Sequence, residues 1–459
     1  MALLNTAPEP LARFFHGDGF PARVARPLLI STTRRALIGS LLTGVSGQGA
    51  LIVSGVLAAR ILGVENRGHL ALLVLIPTGL SQLGGLGLPM AVTYFIARDE
   101  AHAAAIVRSL LKPALAQVAL IVAVHILILG VLLDDEPQVV RLAGVVTLAW
   151  VPSALALQYG LAILQGQQRF RSFNILRLLP ASLYSVGVLF IFLLPAGSLP
   201  WIASIWVASY AVVGTTTLVI SIRCLPSAVD GPTPTRWQML RFGLRGFLGS
   251  VSPIENFRVD QALVSFLLSP AALGLYIVGV SFTSLPRFLA QSVGMVAYPR
   301  VASLFDPTAA RRSIWRFFGV TFLICGAVVA VLEVSVGWLL PFFFGEQFSE
   351  AVPIARILLL SSVFFGARRV LVDGARGVGQ VALGTVGEAV SLVFLLIALW
   401  LLMPRLGVEG VALALVLSSA ASLTVITSMV VRRPVTQPKG LNAPNYNEGR
   451  RSLGHPGAS

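Results

Sequence analysis

The chain has 459 residues, of which 56% are hydrophobic and 12% charged, with a mean hydropathy of +0.84. A soluble domain carries roughly 25% charged residues, so a water-exposed surface for a chain of this length is missing and lipid is the expected solvent. The formal charge of +15 does not point to nucleic acid, because Lys and Arg sit in short clusters between apolar runs rather than on one soluble face.

In chain order, 1–36 is a mixed, Arg-containing segment without the compact apolar run and small-residue cleavage site of a signal peptide. Six apolar segments of helical length follow, near 37–59, 70–96, 113–133, 142–164, 173–194 and 201–222. Then comes a helix-breaking linker over 223–242, with Pro226, Gly231, Pro232 and Pro234. Six more segments lie near 243–268, 271–297, 317–344, 351–371, 381–403 and 409–431, and 432–459 is a Pro- and Gly-rich tail that reads as disordered. About 20 residues span the hydrocarbon, so the expected architecture is all-α and polytopic, with about twelve transmembrane helices in two six-helix bundles, 37–222 and 243–431.

Alternate connections are basic: Arg23, Arg26, Arg34 and Arg35; Arg98, Arg108 and Lys112; Arg169 and Arg171; Arg223, Arg236 and Arg241; Arg300, Arg311, Arg312 and Arg316; Arg368, Arg369 and Arg376; Arg432 and Arg433. The intervening ones are poor in Lys and Arg, as at Asp134, Asp135 and Glu136. This positive-inside pattern puts both termini in the cytoplasm, with Arg60, Arg67 and Arg405 as minor exceptions. A faint internal echo relates Leu62 to Gly68 with Leu268 to Gly274. Gly84, Gly85 and Gly87, and Gly243, Gly246 and Gly249, permit close helix approach.

Glu255, Asn256, Arg258, Asp260 and Gln261 lie inside the seventh apolar segment. An ionised group deep in hydrocarbon costs about 2.5–3.5 kcal/mol on insertion scales, so these residues are expected to face a watery cavity or to pair. On a continuous helix Glu255 and Arg258 share a face, which suits either a structural ion pair or a role in a cavity. Arg258 is the favoured ligand residue because a guanidinium can grip phosphate bidentately. Arg177 in the fifth span, Arg287 after Pro286 in the eighth, and Gln158, Gln165, Gln167 and Gln168 are weaker candidates that also suit snorkelling or packing. Glu333 and Glu388 are single acidic groups in apolar spans, suited to ion relay or to quiet burial. The sequence contains no nucleotide loop, metalloprotease His pair or nucleophile elbow. Cys224 and Cys325 are too far apart to suggest a disulfide framework or thiolate metal site. No catalytic residue, cofactor or metal is expected.

The stretch Ala59 to Gly68 resembles the opening motif of bacterial polysaccharide transport proteins, the O-antigen and exopolysaccharide flippases. The similarity continues through Gly166 to Phe170 with Asn174 and Arg177, Asn256 to Gln261, and Leu273 to Tyr276 with Pro299 and Arg300. It reaches Phe344 to Phe348, Arg368 to Gly379 and Gly407 to Ala412, so it covers 34–431. The resemblance implies a member of the multidrug/oligosaccharidyl-lipid/polysaccharide exporter superfamily, with a MATE-like fold around a cavity that opens to each side in turn. It further implies a lipid-linked (undecaprenyl-pyrophosphate) oligosaccharide as cargo, a bacterial cytoplasmic membrane, surrounding lipids, and a glycan polymerase and glycosyltransferases as partners. Arg258 and Arg177 are the cationic residues it carries over. The competing readings are a drug or metabolite exporter of the same superfamily, a membrane glycan polymerase or ligase, and a purely structural membrane protein.

Overall fold

The computed structural model describes residues 25–194, 197–227, 234–250, 252–253, 257–304, 306–380 and 382–432, without the side chains of 25–45 and 248–250. Parts of the N-terminal segment, linker and tail, together with Glu255 and Asn256, lie outside the described residues.

Lipid offers the backbone no hydrogen-bond partners, so apolar runs of this length fold as helices. The elements are α1 (Ala25–Gly84), α2 (Leu88–Arg98), α3 (Ala103–Leu132), α4 (Gln138–Thr147), α5 (Trp150–Gly166), α6 (Phe170–Phe192) and α7 (Leu199–Arg223). They continue as α8 (Arg236–Ser250), α9 (Val259–Leu267), α10 (Pro270–Phe282), α11 (Ser284–Ala302), α12 (Pro307–Phe344), α13 (Ala351–Gly377) and α14 (Ala382–Arg432). Among the described residues, 8 helical stretches are long and apolar enough to cross a membrane, α4 and α5 counting as one. The pair α10 and α11, bent by 45°, makes up to 9.

Five departures from uninterrupted spans explain the difference from twelve separate segments. Two pairs of expected spans run together, through Gly63 (φ 71°) in α1 and Gly407 (φ 55°) in α14, both in left-handed backbone that favours glycine. The segment expected at 70–96 breaks between α1 and α2, where Leu86 and Gly87 are both left-handed. The segment expected at 243–268 is split between α8 and α9, around Pro253 and a left-handed Arg258. The bend between α10 and α11 falls just before Pro286, which has no N–H to donate to the preceding turn.

Glycines let the first and second halves of the chain meet. A Cβ on Gly68 would overlap the Pro270 carbonyl, and one on Gly274 the Val64 carbonyl. The contact is reciprocal: Val64 and Pro270, and Gly68 and Gly274, are pairs with the same offset of 206 residues in the sequence. Gly87 and Gly243 approach each other in the same backbone-to-backbone manner, joining α2 to α8. The largest buried cluster runs from Ala58 and Leu73 on α1 through Ile202 on α7 and Tyr276 on α10 to Leu415 on α14, so α1 is packed into both halves.

Candidate functional site: a cationic cavity

The site begins at the break before α9. Arg258 has φ 47° and ψ 50° and stands at the N-cap of α9, not on a helical face. The helix does not run through Arg258, and Glu255, with which a shared face is expected, lies outside the described residues. The left-handed turn aims the side chain into a cavity of about 390 Å³ lined also by Gln48, Arg67, Asp260, Gln261 and Arg287. Arg258 keeps exposed surface although it stands between helices, so the cavity can hydrate a charge that hydrocarbon would not.

Three guanidinium groups meet here, because Arg258 lies within electrostatic reach of both Arg67 and Arg287. Among the described residues one acidic side chain, Asp260, lines the same cavity; it is 4% exposed and its Oδ2 accepts a 2.8 Å hydrogen bond from the Tyr276 hydroxyl. Asp260 also lies in the first turn of α9, where the helix dipole favours an anion. The cationic groups thus outnumber the acidic one, and several of their donors are unspent. The only hydrogen bond of Arg258 among the described residues is a long one, 3.5 Å to Gln261 Oε1. Arg67 Nε and Arg287 Nε are buried without a hydrogen-bond partner among the described residues. A guanidinium with a buried, unspent donor at the wall of a cavity is set up for an anion.

A second cavity of about 460 Å³ shares Gln48 and Leu51 with the first and contains Arg177, Gln82, Gln158 and Tyr210. Tyr210 is within electrostatic reach of Arg258, so the two cavities adjoin. Arg177 is exposed, with its guanidinium 5.9 Å from the Phe173 ring centroid.

Other candidates have different surroundings. Gln167 donates a 2.9 Å bond to the Cys224 carbonyl, tying the end of α5 to the end of α7. Glu388 is paired with Arg368 at 2.8 Å, so Arg368 is a buried helix residue rather than part of an exposed basic connection. Sequence reasoning missed Arg67. Its signal was its status as an exception to the alternating charge pattern, just before a glycine that brings two helices together.

The fold is shared with solved transporters. The lipid II flippase MurJ, in an inward closed conformation, superposes with a TM-score of 0.68 at 14% identity, covering 86% of this chain and 88% of that one. A multidrug resistance MATE family transporter of the MOP superfamily, inward-facing, gives 0.62 at 17% identity over 84% of this chain and 94% of that one. A MOP superfamily transporter from Pyrococcus furiosus gives 0.59 at 14% identity over 86% and 95%. No match is found among curated proteins. The fold and apolar helices define a multi-pass membrane protein with the architecture of MOP superfamily transporters. The family described as "Polysaccharide biosynthesis protein" matches residues 35–305, and the chain belongs to that family.

Proposed function

We propose that the protein is a flippase that moves a lipid-linked oligosaccharide, carried on undecaprenyl pyrophosphate, across the bacterial cytoplasmic membrane for cell-surface polysaccharide or exopolysaccharide synthesis. The observation that carries this reading is the convergence of Arg67, Arg258 and Arg287 on one cavity inside a membrane-spanning fold. A pyrophosphate brings the charge that these groups lack. The polyprenyl tail stays in lipid throughout, so only the head group needs a polar path. Two bundles rocking about a central site supply that path without a covalent intermediate, which makes the protein a transporter rather than an enzyme.

Twelve spans in two bundles, 37–222 and 243–431, accord with the breaks in the helices. Gly63 and Gly407 each divide a merged helix in two, α8 with α9 forms one broken span, and α10 with α11 forms another. The reciprocal glycine contact at a constant sequence offset supports a duplicated architecture. The basic connections favour both termini in the cytoplasm. Glycosyltransferases that build the cargo and a polymerase that uses it are the implied partners. A drug exporter of the same superfamily is disfavoured by the cavity's charge, which repels organic cations.

Arg258→Ala tests the site. A hydrogen bond to a charged group contributes about 1.5–3 kcal/mol, enough to change affinity about tenfold or more. The variant is expected to lose transport of a lipid-linked oligosaccharide at normal membrane abundance, and Arg258→Lys to recover only part, since lysine lacks the planar fork. A structural pairing with Glu255 predicts instead that Arg258→Ala depletes the protein and that Glu255→Gln with Arg258→Gln restores it. Full transport by well-folded Arg258→Ala overturns the assignment.

A further inference from the structure

Behind the cavity lies a buried polar chain that the transport reading does not use. Arg368 on α13 is 3% exposed. Its Nη2 donates to Glu388 Oε1 on α14 at 2.8 Å, and its Nη1 makes a 3.5 Å contact with the Ser422 hydroxyl farther along α14. The second carboxylate oxygen of Glu388 accepts a 2.7 Å bond from the Ser252 hydroxyl, at the start of the break that leads to Arg258. On the other side the Arg368 guanidinium lies 5.1 Å from the centroid of the Phe365 ring, and Arg287 lies 4.9 Å from the same centroid. Phe365 is 5% exposed.

We propose that the Arg368–Glu388 pair and Phe365 are positioning residues for the anion site: through the Phe365 ring they set Arg287, and through Ser252 they anchor the segment that carries Arg258. Neither member of the pair lines the cavity, so each acts through another side chain. Stability alone does not account for the pair, since apolar residues of similar volume often replace a buried ion pair without loss. What an apolar replacement cannot provide is this reach in two directions. A carboxylate with two oxygens binds Arg368 with one and Ser252 with the other. Arg287 has no hydrogen-bond partner for its Nε among the described residues, so the ring face is a main constraint on where its guanidinium rests.

The inference rests on the anion-binding reading of the cavity, and the test separates the two. The probe is inorganic pyrophosphate, titrated calorimetrically into the monodisperse full-length protein in detergent. Phe365→Leu is expected to weaken binding about threefold to tenfold, while Phe365→Tyr, which keeps the ring face, binds like the unaltered protein. Phe365→Leu added to Arg287→Gln should cause no further loss, because the two act as one unit. Glu388→Gln should weaken binding in the same range. If Phe365→Leu folds poorly, Phe365→Met removes the ring with less change in packing, and affinity is read on its folded fraction. Unchanged affinity in the ring-deleting and Glu388→Gln variants, or losses from Phe365→Leu and Arg287→Gln that multiply, would overturn the positioning role alone provided Arg287→Gln itself binds weakly. Unchanged binding in both Arg67→Gln and Arg287→Gln would overturn the cavity reading and this inference with it.

Discussion

Arg60 and Arg67 lie on one helix, on either side of the Gly63 kink, and perform different tasks. Arg60 Nε donates a 2.6 Å bond to the Phe343 carbonyl, and its Nη2 donates to the Phe342 carbonyl. These carbonyls end α12 and have no partner within that helix, so Arg60 serves as a C-terminal cap. Arg67 lines the cavity with a buried, unpartnered Nε. Arg60→Gln should therefore lower thermal stability by about 1 kcal/mol and leave pyrophosphate affinity unchanged. Arg67→Gln should weaken that affinity about tenfold at normal abundance. Calorimetry and melting curves on the two purified variants check both; the reverse pattern would exchange their roles. In the sequence both were exceptions to the alternating charge rule. That rule counts charges in connections, whereas these arginines work through helix ends and cavities, which only packing brings together. Asp260 and Arg258 were legible as expensive residues, but the Tyr276 hydroxyl that meets Asp260 and the left-handed turn at Arg258 were not. Each depends on where a broken helix stops.

At the scale of elements, α1 and α10 meet through glycines with no room for a side chain. A methyl group on Gly274 would run into the Val64 carbonyl, which is backbone and cannot rotate away. Gly274→Ala should destabilise the protein by about 1–3 kcal/mol, the usual effect of overpacking, and lower its membrane abundance. Gly319→Ala on α12, with nothing near its Cβ, is the control. Equal melting temperatures for the two would refute the close approach. At the start of α12, Asp306 accepts bonds from the Thr308 amide at 2.9 Å, the Thr308 hydroxyl at 2.6 Å and the Ala309 amide at 3.1 Å. The Thr308 hydroxyl bond chiefly holds its carboxyl below the ordinary aspartate range. The cap's contribution is therefore complete above that range and lost as pH falls through the lowered value. The stability difference between the unaltered protein and Asp306→Ala should disappear in strong acid, and a difference that grows there would contradict the cap. Apolar length made nearly every helix legible. The breaks were less so, since the left-handed conformation of a residue such as Leu86 falls where Gly87 and Gly243 bring two backbones together, a contact between distant parts of the sequence.

In the proposed twelve-span arrangement the two halves of the chain meet at a cavity where, among the described residues, arginines outnumber acidic side chains, and the basic connections are expected to face the cytoplasm. Residues introduced next to Arg311 should react with an impermeant thiol reagent only after the cytoplasmic side is opened, and residues next to Asp135 should react in intact cells. Reaction of both from one side would refute the twelve-span arrangement. The sequence offset of 206 residues that relates Val64 to Pro270 was visible only as a faint echo, because lipid-facing positions can exchange one apolar residue for another while the contact glycines cannot. The most direct test of transport is to reconstitute the protein in liposomes with a fluorescent undecaprenyl-pyrophosphate oligosaccharide and to follow the label's accessibility to an external quencher. Flipping that depends on the protein, is reduced about tenfold or more by Arg258→Ala, and leaves the lipid covalently unchanged is the predicted result. Movement of small organic cations without movement of the lipid, or cleavage of the glycan, would contradict it.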